Sequence, residues 1–344
     1  MKQNTVTQSA TLMDAARAIE SNKRLAVVID QESRVIGTLT DGDIRRAIIN
    51  NSSLQEKVSN VCNYDFCHEF NSSEFIDYSI YSKKNIKILP ILNKQKKLID
   101  VIDLTFHSAK LPLECFLLAG GRGKRLSPLT DKIPKPMLLI DDKPIIEHNI
   151  DRLIGYGIKK FYISVNYKAD LIMNYFKNGT HKGIEIEYII EENPLGTAGS
   201  IGFVRNFGKD NVLVMNSDLL TDLDFKSMFM KHQINKSDIT IASTKYKVDI
   251  PFAILENKNN LIFKISEKPS FFYDSNAGIY IIKKSILNNI KENEYLDMPD
   301  FIKTNIEIKR KVINKNIDGF WIDIGTKSDY ESANKSFKNM NKYD

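Results

Sequence analysis

Cysteine is scarce. There are three residues, Cys62, Cys67 and Cys115, an odd number without regular spacing. That argues against a disulfide framework, and with no Cys-x-x-Cys pair no zinc site of the usual spacing can be built. Reduced thiols are the expectation, and with them a cytoplasmic setting. Histidine occurs five times, never inside a recognisable catalytic motif. No Ser-His or Cys-His arrangement for nucleophilic catalysis stands out. No apolar run is long enough to span a bilayer. Met1 to Ala10 is polar and lacks the apolar centre of a signal peptide. The net charge of +6 is spread through Lys- and Asn-rich sequence and is too mild to argue for nucleic acid. Neither a membrane nor a nucleic acid is therefore expected as a partner.

What is present is punctuated at one place. Cys115 to Ala119 is a short apolar run, long enough for one buried strand. The chain then turns glycine-rich and basic. Gly120, Gly121 and Gly123 allow close backbone approach to a ligand, and Lys124, Arg125 and Lys135 bring positive charge to the same place. A strand running into such a loop is a device for holding phosphates. It is not a Walker A loop, since no Gly-Lys-Ser/Thr follows at the required spacing. It is not the dinucleotide fingerprint, since Leu126 stands where the third glycine would be.

The full string is more specific. Gly120-Gly121-x-Gly123-x-Arg125-Leu126-x-Pro128-Leu129-Thr130, followed by Pro134-Lys135-Pro136, resembles the signature of the sugar-1-phosphate nucleotidyltransferases. The resemblance implies that Leu118, Ala119, Gly120, Gly121 and Gly123 wrap a nucleotide while Arg125 and Lys135 meet its phosphates.

The sequence before this loop divides from it. With 344 residues, the chain has room for two domains, each with its own core. Residues 11–20 have helical spacing, 25–30 and 35–40 read as strands, and 44–49 as a second helix led by Thr40 and Asp43. A weaker copy follows, with a helix over 72–81 and strands over 86–92 and 98–102. This repeat resembles a tandem pair of CBS (cystathionine-β-synthase-type) domains over residues 1–108. In such pairs a Gly-x-x-Thr-x-x-Asp ending contacts an adenine nucleotide. The first copy keeps it as Gly37, Thr40 and Asp43; the second has Asp100, Asp103 and Phe106 instead. Two readings stay open: regulatory nucleotide binding through Thr40 and Asp43, or a plain helix cap in a module used only for assembly into a homo-oligomer. Residues 109–114, with Pro112, read as a linker.

Over 115–344 strands alternate with helices, so the expected fold class is α/β. A Rossmann-like, mostly parallel sheet should be preceded by the small α/β CBS unit. Ligands in such folds sit at the C-terminal ends of strands, where the remaining motifs fall. Glu191-Glu192-Asn193-Pro194-Leu195-Gly196-Thr197-Ala198-Gly199 follows one strand. By resemblance, Glu192 and Gly196 meet the nucleotide and Gly199 the sugar phosphate, and the form is like that of guanylyl- and mannose-type members. Asp218, after Val212 to Met215, and Asp323, within Gly319 to Thr326, match the family's two Mg2+ ligands. Glu267, Lys268 and Asn276 would line the sugar-phosphate site, although Ala253 stands where the family commonly has glycine. No hexapeptide repeat follows Thr326, so no acyltransferase domain is expected.

The chemistry implied is transfer of a nucleotidyl group from a nucleoside triphosphate to a sugar-1-phosphate, releasing pyrophosphate. A CBS pair ahead of such a transferase is similar to the glucosamine-1-phosphate guanylyltransferases of bacterial legionaminic acid biosynthesis, which favours GTP. Mannose-, heptose- or glucose-1-phosphate, and UTP, CTP or dTTP, are the alternatives within the class. A non-catalytic nucleotide sensor is the alternative outside it.

Overall fold

The computed structural model describes residues 5–22 and 25–340, and the chain divides into two compact units, residues 1–111 and 112–344.

The first unit holds β1 (Thr5–Thr7), α1 (Leu12–Asn22), β2 (Ala26–Ile29), β3 (Val35–Leu39), α2 (Asp41–Ile49), β4 (Glu69–Phe70), β5 (Ile76–Asp77), α3 (Ser79–Ser82), β6 (Ile88–Leu92), β7 (Leu98–Asp103) and β8 (Ala109–Lys110). Its strands form two three-stranded sheets of the same pattern. β1 runs parallel to β2 and β2 antiparallel to β3; β4 runs parallel to β6 and β6 antiparallel to β7. Leu12, Ala15 and Ile19 line one face of α1 and are buried with Val28, Leu39 and Ile44, as a helix with apolar residues three and four apart requires.

Two expectations fail here. The helix anticipated over 72–81 is only the single turn α3, preceded by β5. Asp77 accepts hydrogen bonds from the Ser79 amide and hydroxyl, so the Asp and Ser side chains favour a turn start at this point over a continuous helix. The linker anticipated over 109–114 is largely absorbed into strands, because Ala109 and Lys110 pair with Asp77 and Ile76 and Leu113 and Glu114 open β9 (Leu113–Leu118).

The second unit continues with β10 (Leu139–Ile140), β11 (Lys143–Pro144), α4 (Ile145–Ile154), β12 (Lys160–Val165), α5 (Ala169–Phe176), β13 (Glu185–Ile190), β14 (Asn211–Asn216), β15 (Leu219–Thr221), α6 (Phe225–Ile234) and β16 (Ile239–Asp249). After these come β17 (Ile254–Lys258), β18 (Leu261–Ser266), β19 (Ser270–Lys283), α7 (Lys284–Leu287), α8 (Met298–Glu307), β20 (Val312–Asn316), β21 (Trp321–Asp323) and α9 (Lys327–Met340). Its centre is a seven-stranded sheet of order β13-β12-β9-β14-β19-β16-β20. The first four strands are mutually parallel, and β19 runs antiparallel to both neighbours. The near-continuous apolar composition of the inner strands β9 and β14 fits burial on both faces: Cys115, Phe116 and Leu117 of β9 are fully buried, as are Val212 to Val214 of β14. Each such side chain stabilises the fold by roughly 1.5–3 kcal/mol relative to exposure.

The order fixes where a ligand can sit. From β9 the chain moves outward to β12 and β13, then returns to place β14 on the other side of β9. The crevice outside the C-terminal ends of β9 and β14 is therefore the switch point of the sheet. No helix among the described residues is long and apolar enough to cross a membrane.

Candidate active site

A cavity of about 460 Å3 opens at that switch point. Its lining includes Leu118, Ala119, Gly120, Gly121, Gly123, Arg125, Lys135, Gly196 and Asp218, together with Ser164 and Glu191. These residues come from the ends of β9, β12, β13 and β14 and from the glycine loop.

The loop is held by its own signature residues. Gly123 has φ +67, and a Cβ there would stand 2.9 Å from the Cβ of Lys135; both conditions call for glycine. The Thr130 hydroxyl donates to the Gly123 carbonyl at 2.8 Å. Leu126 is buried among Leu138, Ile140, Leu220 and Ile324. A Cβ on Gly121 would meet nothing within 4 Å, so this part of the loop faces open space.

Lys135 lies in a helical turn beginning at Pro134 and is only 8% exposed. Its ammonium is 2.5 Å from Asp218 Oδ2 and 3.3 Å from Asp323 Oδ1. The two aspartates, remote in sequence, are brought together by β15 and β21, in which Leu219 pairs with Asp323. Ile324 N–H also donates to the Asp218 carbonyl at 3.3 Å. Sequence reasoning missed Asn149, which is buried on α4. Its amide donates to the carbonyls of Ser217 and Leu219 at 3.2 and 2.9 Å, clamping the turn that carries Asp218. Trp321 supports the other side, donating from Nε1 to the Ala277 carbonyl at 2.9 Å. The Arg125 guanidinium reaches toward the strand end after Asp323, with a nitrogen 3.5 Å from where a Gly325 Cβ would be.

The acidic loop after β13 departs from expectation. Glu191, not Glu192, faces the cavity: Glu191 is 7% exposed and Glu192 is exposed. The Glu191 amide completes the β13–β12 ladder on the Val165 carbonyl, which turns its side chain inward and the next one out. Burial raises the Glu191 carboxyl above the usual range, against a lowering hydrogen bond from the Leu195 amide. Gly196 has φ +76 and presses on the Leu296 carbonyl, 2.5 Å from where its Cβ would stand. Gly199 does not face the cavity. A Cβ there would lie 2.3 Å from the Glu294 carbonyl, so this glycine serves close packing between loops.

Glu267 and Lys268 join β18 to β19 and are exposed, with Lys268 at φ +44. Neither they nor Asn276 line the cavity. Asn276 donates to the Tyr280 hydroxyl at 2.8 Å and accepts from the Gly278 amide. In the first unit, Thr40 and Asp43 form a reciprocal capping box at the start of α2. The Thr40 hydroxyl donates to Asp43 Oδ2 at 2.6 Å, and Arg46 pairs with Asp43 Oδ1 at 2.5 Å. Thr40, Asp41 and Gly42 line a separate cavity of about 570 Å3 within that unit; Asp43 does not.

A basic, glycine-rich loop and two converging aspartates thus stand together at the switch point of an α/β sheet, where ligands of such folds bind. A nucleotidyl transferase family model matches residues 115–339, and a CBS domain model matches residues 2–50. The chain belongs to the nucleotidyl transferase family and carries a CBS domain at its N-terminal end. It is 33% identical over 229 residues to a D-glycero-alpha-D-manno-heptose 1-phosphate guanylyltransferase of Aneurinibacillus thermoaerophilus, spanning 66% of this chain and 99% of that relative. It is 32% identical over 230 residues to a mannose-1-phosphate guanyltransferase of Gibberella zeae, spanning 63% of this chain and 62% of that one. Among solved structures, HddC from Yersinia pseudotuberculosis superposes with a TM-score of 0.51 at 27% identity, covering 65% of this chain and 99% of its own. HddC has also been solved in complex with GMP-PN.

Proposed function

We propose that the protein joins GTP to a sugar-1-phosphate, forming a GDP-sugar and pyrophosphate. The observation that carries the choice of base is the buried carboxylate of Glu191 in the cavity beside Gly120. Ionised, it only accepts hydrogen bonds. Guanine presents two adjacent donors, N1–H and the 2-amino group, which a carboxylate can take as a pair. Uracil and thymine flank their N3–H with carbonyl oxygens, and cytosine and adenine place a ring acceptor beside their amino group, so each would set an acceptor against this carboxylate. The guanylyltransferase relatives support the same choice.

The reacting groups need no protein nucleophile. A sugar phosphate has its second pKa near ~6, so its oxygen is already anionic at neutral pH. It attacks the α-phosphorus of GTP; the bond from that phosphorus to the bridging oxygen breaks, and pyrophosphate leaves. Arg125 and Lys135 hold the phosphates and offset the negative charge of the approach. The glycine loop fixes the triphosphate for in-line displacement.

Asp218 and Asp323 fit a hard cation. They are oxygen donors already converging on the Lys135 ammonium, and with only two protein carboxylates the remaining ligands would come from phosphates and water, as Mg2+ favours. Mg2+ bound there would supply charge neutralisation at the phosphates. Glu267, Lys268 and Asn276 are assigned to the sugar phosphate on family resemblance. Glucosamine-1-phosphate leads the candidate sugars, on the fusion of a CBS unit to the transferase. Mannose- and heptose-1-phosphate follow, on the relatives.

A second proposal concerns the N-terminal unit. Its two sheets share one topology, which supports a tandem CBS pair, and its cavity of about 570 Å3 has room for an adenine nucleotide beside Thr40.

The test is pyrophosphate release across a grid of nucleoside triphosphates and sugar-1-phosphates, with Mg2+, in the presence and absence of AMP and ATP. Turnover with GTP above the other triphosphates is expected. Absence of turnover on every pair would favour a nucleotide sensor instead.

A further inference from the structure

Ser164 and Glu191 share one face of the central sheet. Ser164 of β12 pairs with Ile189 of β13, and Glu191 follows two residues later, so all three side chains leave the sheet on the same side. An apolar cluster fills that side, where Tyr162, Ile189, Ala198 and Ile201 are buried together. Ile201 comes from the helical turn Gly199–Phe203, which also carries Ser200.

Three polar side chains are enclosed at the edge of this cluster. Ser164 is 1% exposed, Ser200 0% and Glu191 7%. The Leu195 amide donates to Glu191 Oε2 at 3.4 Å, a long contact for a carboxylate that can accept about four hydrogen bonds. Neither serine hydroxyl has a hydrogen-bond partner of regular geometry. Both nevertheless lie within reach of Glu191: burial raises its carboxyl, and the Leu195 amide and the two hydroxyls lower it. A buried hydroxyl left idle is costly, and so is a buried carboxylate short of donors. Rotating each hydroxyl hydrogen onto the carboxylate satisfies both. Lys124, Arg125, Lys135 and Asp218 line the same cavity, but burial and hydrogen bonding, not charge, set the Glu191 carboxyl. Asp297 of the adjoining loop accepts from the Thr197 amide.

We infer that Ser164 and Ser200 are positioning residues, whose hydroxyls donate to the Glu191 carboxylate and hold it as a pure acceptor toward the base. The inference rests on Glu191 reading guanine, and it adds a consequence for selectivity. Without the two donors, burial favours the neutral acid. A neutral carboxyl presents one donor and one acceptor. It sets its O–H against one of the two guanine donors, yet it matches the N3–H and adjoining carbonyl of uracil. The two serines therefore decide which base the same glutamate selects.

The test has two readouts, applied to wild type, Ser164→Ala, Ser200→Ala and the double variant. One is kcat/KM for GTP and for UTP across the pH range. The other is a carbon-13 NMR titration of the Glu191 carboxyl in the substrate-free protein, its resonance assigned by Glu191→Gln. Each alanine should move the Glu191 midpoint upward, and the double variant further. Below the new midpoint the GTP:UTP ratio should fall about tenfold or more per hydroxyl, the scale of a lost hydrogen bond to a charged group, and it should recover in alkali. Ser164→Thr, which keeps a hydroxyl, should retain the wild-type midpoint. An unmoved midpoint would overturn the inference; idle hydroxyls would show instead as higher melting temperatures in the alanine variants. A midpoint that moves while the GTP:UTP ratio stays fixed would uphold the serines as positioning residues and overturn the guanine reading.

Discussion

Asp218 and Asp323 converge on a single cation, the Lys135 ammonium, at 2.5 and 3.3 Å. Neither is held there by its own strand alone. Asp218 stands on a turn clamped by Asn149, and Asp323 ends a strand paired to the residue after Asp218. The arrangement gathers two negative charges at the mouth of the glycine-rich loop, where the Lys135 ammonium offsets them.

Asp218→Asn and Asp323→Asn should each lower kcat by at least ~10²-fold, the scale of losing one preorganised electrostatic contact. Each single variant leaves Lys135 one carboxylate, so thermal unfolding should change little. The double variant leaves a buried cation unpaired and should be destabilised by about 3–5 kcal/mol. Chelation of divalent ions should abolish turnover and added Mg2+ restore it. Near-normal Mg2+-dependent rates in both single variants would remove the aspartates from the mechanism.

Glu191→Gln should cost GTP on the order of 10²-fold in kcat/KM and narrow the gap to UTP and dTTP, because an amide offers one acceptor and one donor. The carboxyl titrates above the ordinary glutamate range through burial. Wild-type kcat/KM for GTP should therefore fall as the pH drops through that raised value, and the variant should lack this limb. The stability sign is opposite. A raised acid pKa contributes stability that is lost as pH rises through it, so the variant should melt higher than wild type at pH 8 and equally at pH 4.

His232 provides a pH prediction for the fold. It is buried, with ring nitrogens 2.8 Å from the Thr240 hydroxyl and 3.0 Å from Asn211 Oδ1, and burial pushes its pKa down to about 4, helped by Lys283. The unfolded chain takes up this proton first as the pH falls below ~6.5. Stability is thus complete above ~6.5 and is lost toward pH 4, by on the order of 2–3 kcal/mol. Melting curves between pH 7 and 4 should steepen in this window for wild type and flatten for His232→Gln.

Two glycines separate packing from ligand approach. Gly199→Ala drives a methyl into the Glu294 carbonyl and should destabilise by about 1–3 kcal/mol. Gly121→Ala meets no protein atom and should keep its melting temperature while raising KM for the triphosphate. Equal melting temperatures would return Gly199 to the ligand site.

The legible parts of this molecule are local. The string from Gly120 to Pro136 carries its own anchors, Leu126 and Thr130, so the loop could be read without tertiary information. The strand pattern of 115–119, 160–165 and 211–215 follows from apolar runs bounded by turns. Glu191 and Glu192 were not separable, because which of two adjacent acids turns inward depends on where β13 leaves the ladder. Gly199, which family resemblance gives to the sugar phosphate, packs against the Glu294 carbonyl; a glycine required by a neighbouring loop looks the same in sequence as one required by a ligand.

The most direct measurement is the fate of label from GTP incubated with Mg2+ and glucosamine-, mannose- or heptose-1-phosphate. Label at the α-phosphate should appear in a GDP-sugar, and label at the γ-phosphate should appear in pyrophosphate, with one product of each per turnover. Release of γ-label as free phosphate, or recovery of all label as intact GTP with every sugar phosphate, would contradict the assignment.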